Sequence, residues 1–228
     1  MMRLKPISKA ETARYMGVRG EPDFQTMEIL NRLEPVVRER IKPKYVYRRT
    51  PVNFTANGLF LDGISRELAG EDIKKHLSGC TSAVVMAVTL SAEADKLIRQ
   101  TAITDMADSL AVDCLCSSAV EQACNIAERE IFSEIKAPFR TWRFSAGYGD
   151  FPLDIQKDLL LFLNAHRRIG LTVTENSLLI PSKSVTAIIG ISENPVKRGK
   201  KGCESCIMRD RCAFSACVKN CSGGKEFD

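Results

Sequence analysis

The sequence predicts an α+β fold: a mostly antiparallel twisted sheet with long helices, followed by a small cysteine-rich C-terminal segment. Three observations carry this expectation. Ser82–Leu90 is a continuous apolar run, the pattern of a buried central strand. Hairpin-like strand pairs stand at both ends of the body, around residues 44–61 and 171–191. Long helical stretches lie between them, an order that fits an antiparallel sheet better than a doubly wound parallel one.

Taken in order, Ser8–Met16 reads as a short helix, with Ser8 as N-cap and Glu11 completing a capping-box pattern. Phe24–Ile41 keeps helical spacing of Phe24, Met27, Leu30, Val37 and Ile41, and Pro35 is expected to kink or divide it. Lys44–Phe54 is rich in β-branched and aromatic residues, and Asn57-Gly58 supplies a hairpin turn before Leu59–Leu61. Ser65–Leu77 reads as one helix interrupted at Gly70, or two short ones. Ser91 opens a helix, and a longer one spans about Ile103–Phe132. Its small residues Ala107, Ala111, Ala119, Ala123 and Ala127 let another backbone approach closely. Cys114, Cys116 and Cys124 on this helix, and Cys80 ahead of the central strand, read as small core hydrophobes. Asp154–Arg168 is an amphipathic helix stopped by Gly170. Strands follow at Leu171–Thr174, Ser177–Ile180 and Ser184–Ile191.

The 228 residues suit one sizeable domain plus an appendage, here divided as 1–194 and 195–228. No apolar run approaches the roughly 20 residues that span a bilayer. Met1–Ala10 carries Arg3, Lys5 and Lys9 without an apolar core, so the expectation is a cytoplasmic protein without a secretory signal. Of the net charge of +5, residues 195–228 hold +4. The nearly neutral body argues against a broad nucleic-acid face.

Five of the nine cysteines are Cys203, Cys206, Cys212, Cys217 and Cys221. The segment around them has too little apolar material for a core, so a metal would supply its folding energy. Thiolates at this density suit tetrahedral zinc or an iron–sulfur cluster, and a reducible tail without metal is the plain alternative. Cys203, Cys206 and Cys212 are the firmest candidate ligands, with Cys217 and Cys221 competing for the fourth place.

The segment WRFSAGYGDFP, Trp142–Pro152, gathers the most specific chemistry. Gly147 and Gly149 permit positive φ and let a flat ligand lie against the main chain. Arg143 can hold a carboxylate through two parallel hydrogen bonds, and Tyr148 offers a ring face and a hydroxyl. Pro152, Asp150, Asp154 and Gln156 suit the start of the helix that follows. His76 and His166 read as helix-end residues, their charged form favoured there.

Arg143, Gly147 and Tyr148 form an R-x-x-x-G-Y segment. It follows the acid-bearing helix stretch ADSLAVD, Ala107–Asp113, and precedes a P-x-x-S-V segment at Pro181, Ser184 and Val185. In this order the elements resemble the reactivation domain of cobalamin-dependent methionine synthase, in a free-standing form, over roughly Ala107–Ile191. The resemblance implies S-adenosylmethionine as ligand, held by Arg143, Ser145, Ala146, Gly147 and Tyr148, with Asp113 as an acid one position out of register. The last strand, AIIGIS, lacks the aromatic residues the family places near the ligand. The resemblance further implies an accessory role: methylation of a reduced corrinoid carried by a partner synthase, with cobalamin on the partner only and an electron donor alongside. KKHLSG, Lys74–Gly79, lacks the aspartate of a cobalamin carrier's histidine signature. Repair of an oxidised corrinoid needs an electron, which favours iron–sulfur over zinc in the tail. The competing reading is a metal-dependent interaction or nucleic-acid-binding module centred on residues 197–221. A self-sufficient small-molecule methyltransferase is disfavoured, because no glycine-rich loop follows an early strand.

Overall fold

Strand β3 (Ser82–Thr89) is buried at every position, and its alternating side chains feed two separate cores. Val84, Met86 and Val88 point to one face and Ala83, Val85 and Ala87 to the other. A strand with both faces covered has no polar side to show, so its sequence is apolar without alternation. The computed structural model describes residues 2–196; the proposed metal ligands Cys203, Cys206, Cys212, Cys217 and Cys221 lie outside the described residues.

The main sheet has the order β2-β1-β3-β7-β4, with every neighbouring pair antiparallel. Its other strands are β1 (Lys44–Thr55), β2 (Gly58–Leu61), β4 (Phe139–Arg140) and β7 (Ser184–Ser192). A separate two-stranded ribbon pairs β5 (Thr172–Val173) with β6 (Leu179–Ile180). One face of the main sheet carries α1 (Lys9–Tyr15), α2 (Phe24–Arg40), α4 (Ala92–Thr104) and α5 (Met106–Glu134). The other carries α3 (Glu71–Leu77), α6 (Gln156–Leu163) and α7 (Ala165–Ile169). The α+β class and the antiparallel sheet are as the sequence predicts.

Helix α5 lies against the sheet because its inner positions are small. Ala111, Cys114, Cys116, Ala119, Ala123, Cys124 and Ala127 are all buried, as is Cys80. Burial pushes the Cys116 and Cys124 thiols up to about 12, the behaviour of inert core residues. Ala107 is the exception among the small residues, being exposed at the helix start. There Asp105 caps α5 by accepting the Ala107 and Asp108 N–H groups, so the helix begins at Met106 rather than Ile103.

Several local expectations are corrected. Pro35 does not divide α2; it lies on the exposed face, where the hydrogen bond it removes can be replaced by water. Residues 65–69 are not helical. Leu68 instead donates its N–H to the Leu59 carbonyl at 2.8 Å and buries its side chain. The helix predicted over Asp154–Arg168 is a 3-10 turn (Leu153–Ile155), then α6, then α7, broken at Asn164 with φ +51°. Asparagine tolerates the left-handed region that most side chains avoid. Strand β4 is not among the predicted strands, because two residues carry no periodic signal.

Candidate functional site

The chain leaves α5 and returns along the edge of β7. Arg140 pairs with Ile191, and Phe144 forms a bridge with Ile188. Four steps on the outer segment therefore face three on β7, which is a one-residue bulge. Thr141 stitches it. Its N–H donates to the Gly190 carbonyl at 2.9 Å, and its Oγ1 accepts the Gly190 N–H at 2.8 Å. Because of the extra residue, Arg140 and Arg143 both turn toward α5, while Trp142 and Phe144 turn toward the opposite core.

On the α5 side, Arg143 meets a polar stripe. Asp113, Ser117, Glu121, Asn125 and Glu128 follow each other at three- or four-residue spacing, one line along the helix. From Ala111 to Val120, α5 is buried everywhere except Asp113 and Ser117, so the stripe is an opening in an otherwise covered helix. Arg143 Nη1 donates to Glu128 Oε2 at 2.7 Å, and Nη2 donates to Asn125 Oδ1 at 2.9 Å. A longer contact of 3.5 Å joins Nη2 to Glu121 Oε2. The Arg143 side chain is only 20% exposed and that of Glu121 is 45% exposed. Glu128 also approaches Arg140 Nε at 3.6 Å. Farther along, Lys183 Nζ, just before β7, donates to Asp113 Oδ1 and Ser117 Oγ, both at 2.9 Å.

On the opposite side the segment is aromatic. Trp142, Phe144 and Tyr148 pack at centroid separations of 5.2 to 5.6 Å, with Tyr148 edge-on to both neighbours. Phe151 extends the cluster and is fully buried. His76, from the last turn of α3, lies 5.0 Å from Trp142 and 4.8 Å from Phe144. Its Nε2 shares a 2.8 Å hydrogen bond with Thr141 Oγ1. Burial pushes this imidazole down from 6.5 to about 4, against a smaller opposing pull from a hydrogen bond to the Trp142 backbone. The expected charged helix-end histidine is thus a neutral, part-buried ring packed against the aromatic cluster.

The turn itself is held by its own main chain. Tyr148 N–H donates to Ser145 O at 3.2 Å, Gly147 N–H to Phe151 O at 2.9 Å, and Phe151 N–H to Tyr148 O at 3.1 Å. Gly147 has φ +82° and Gly149 φ +58°, the conformations that require glycine. Gly147 is exposed, with Leu153 the nearest side chain to the position a Cβ would take. The space beside Gly149 is filled by Asp72. Asp150 does not serve the helix that follows it. Its carboxylate accepts the Glu71 and Asp72 N–H groups at 2.7 and 3.0 Å and so caps α3, and those bonds hold its carboxyl below the usual range.

The structure thus brings Arg143, Ser145, Ala146, Gly147 and Tyr148 into one bend. Asp113 lies on the same helical line as the Arg143 partners but pairs with Lys183. It sits two turns from Glu121, about 12 Å along the axis. Asp108 belongs elsewhere, in a bidentate pair with Arg32 at 2.7 and 2.8 Å. Glu121, Asn125, Glu128, Lys183 and Thr141 were not singled out by the sequence. The i, i+4 recurrence of polar residues within an alanine- and cysteine-rich helix was the available signal for the first three. Among the described residues, no three His, Cys, Asp or Glu side chains gather where they could hold a metal ion, and no helix is long and apolar enough to cross a membrane.

No protein-family model matches the sequence, and no curated protein matches it. The fold does match a solved structure, the crystal structure of the MetH reactivation domain bound to AdoHcy, with a TM-score of 0.64. The two sequences are 12% identical, and the match covers 97% of this chain and 86% of the other. The chain therefore shares the fold of that reactivation domain.

Proposed function

We propose that this protein binds S-adenosylmethionine between the α5 stripe and the Arg143–Tyr148 bend, and assists reductive methylation of a corrinoid held by a cobalamin-dependent methionine synthase. The observation that carries this reading is Arg143, swung by the bulge at Thr141 into a line of half-buried acids. The shared fold with a domain solved with AdoHcy supports it.

The residues present fit the amino-acid end of such a ligand. Arg143 Nη2 has its longest contact with the half-exposed Glu121, so this arm can exchange that carboxylate for the ligand's. Glu121, once displaced, is placed to accept the ligand's ammonium group. Asn125 and Glu128 keep the guanidinium oriented during the exchange. The exposed main chain at Gly147 and the half-buried Ser145 line the approach to the rest of the molecule, and Ala146 and Tyr148, whose side chains pack against the opposite core, offer their main chain. Asp113 lies at the far end of the stripe, within reach of an extended ligand.

When bound, the ligand supplies an electrophilic methyl group, and the partner's reduced corrinoid is the nucleophile. The chain itself then needs no general base, and none is present in the stripe beyond carboxylates already paired with cations. Its work is to bind, orient and exclude water. Addition of S-adenosylhomocysteine should raise the melting temperature of the wild-type protein and leave that of Arg143→Ala unmoved. Equal shifts for both proteins would remove Arg143 from the site. Methyl transfer should be detected only when a corrinoid protein is added.

A further inference from the structure

We infer that His76 is a positioning residue for the ligand bend: through Thr141 it pins the bulge that aims Arg143, and through its ring it seats Trp142 and Phe144. The ligand assignment of the bend rests on the function proposed above; the structural role of His76 does not.

The geometry is a chain of contacts across three elements. Gly190, near the end of β7 and between the Arg140–Ile191 pair and the Phe144–Ile188 bridge, donates its N–H to Thr141 Oγ1 at 2.8 Å. That same oxygen shares a 2.8 Å bond with His76 Nε2. A ladder N–H next to a bulge loses its backbone acceptor, and here a threonine hydroxyl takes the acceptor's place. A hydroxyl rotates freely unless further partners fix it; the imidazole is the nearer one at 2.8 Å, and the Trp142 carbonyl stands farther off at 3.4 Å. The next two residues in the chain are Trp142, whose ring meets His76 edge-on at 5.0 Å, and Arg143 itself. Beyond them, Phe144 lies 4.8 Å from His76 and closes the bulge by exchanging both backbone bonds with Ile188, at 3.0 and 2.8 Å. One imidazole thus touches the residues on either side of Arg143 and the side chain that stitches the bulge. Gly190 leaves the room for this: a Cβ there would sit 2.5 Å from Cys80 Sγ and 3.0 Å from Leu77 Cδ2, in the packing that holds the end of α3 against β7.

A residue that only filled space would be replaced by any ring of similar size. Three substitutions separate ring from hydrogen bond. His76→Phe keeps the ring and loses the bond. Thr141→Val loses the hydroxyl and leaves the Gly190 N–H without an acceptor. Thr141→Ser keeps the hydroxyl and rescues it.

The first readout uses no ligand. Amide hydrogen exchange is followed on the full chain under conditions where all variants are folded. In His76→Phe and Thr141→Val, protection at Thr141, Gly190 and Phe144 should fall about tenfold or more relative to β3, the size of one lost buried hydrogen bond, and Thr141→Ser should hold it. The emission of Trp142, the only tryptophan in the chain, should shift in His76→Phe. Unchanged protection in both disruptive variants overturns the inference whatever the ligand does. The second readout is calorimetry with S-adenosylhomocysteine. Affinity should drop about tenfold in His76→Phe and Thr141→Val and recover in Thr141→Ser. If the wild type binds the nucleotide and both disruptive variants bind it equally well, His76 does not position the site. If the wild type binds nothing, the proposed ligand falls, and the exchange data alone still decide the role of His76.

Discussion

On one side of Trp142–Phe144, the rings of His76, Tyr148 and Phe151 close around Phe144. On the other side, Arg143 and Arg140 share Glu128, and Glu121 stands half exposed. The aromatic region contains one neutral imidazole and no ion pair with the rings; the polar region is made almost entirely of charges. The first gains its stability from burial, which depends on shape and tolerates no substitute partner. The second holds one contact that can exchange, the 3.5 Å Arg143–Glu121 pair, because Glu121 is half exposed and such a pair contributes little to stability. The difference teaches a division of labour. The dry side fixes where the backbone runs; on the proposed function, the wet side trades partners without moving it.

The largest effect should come from the dry side. Phe151→Ala removes a fully buried ring and should cost about 3–5 kcal/mol in urea unfolding. A loss under about 1 kcal/mol would mean that this region is loosely packed and the contrast is false. The next effect is pH-dependent. The His76 imidazole is held down from 6.5 to about 4 by burial, so the unfolded chain takes up this proton more readily than the folded one. Stability should be complete above pH 6.5 and decline as pH falls toward 4, by up to about 3 kcal/mol, with no further loss from this group below that. Urea midpoints across this range should show the decline in the wild type and a shallower one in His76→Gln. On the wet side, Arg143→Ala should weaken nucleotide binding by about a hundredfold while costing less stability than Phe151→Ala, because Glu128 keeps Arg140 nearby and Glu121 is half exposed. A large stability loss without a binding loss would assign Arg143 to structure. The smallest effect belongs to Asp150→Ala, which frees the Glu71 and Asp72 N–H groups. Faster exchange at those two amides, with only a slight fall in melting temperature, is the expected result.

What could be read from the sequence divides along the same line. Strand β3 was legible because burial on both faces leaves an unmistakable apolar run, and the β1–β2 hairpin because Asn57-Gly58 sits between β-rich segments. The bend was legible because Arg143, Gly147 and Tyr148 are close in sequence and chemically specific. The bulge was not, because it consists of a count mismatch between two segments nearly fifty residues apart. Glu121, Asn125 and Glu128 are not marked by local sequence, since a polar stripe on a helix ordinarily faces water; only the return of the chain along β7 brings Arg143 onto it. Asp150 was assigned to the nearer helix because local spacing cannot show that Gly70 brings a different helix start beside it. His76 looked like a charged cap for the same reason: its partners Thr141 and Trp142 come from another part of the chain.

We propose that the wet side of this bend is a nucleotide site built around one guanidinium. Isothermal calorimetry of S-adenosylmethionine into the full chain tests it most directly, with Arg143→Ala titrated under the same conditions. Saturable one-site binding to the wild type and heat too small to fit for the variant are the expected results. No binding to a wild type that is folded, or indistinguishable binding to both proteins, would contradict it.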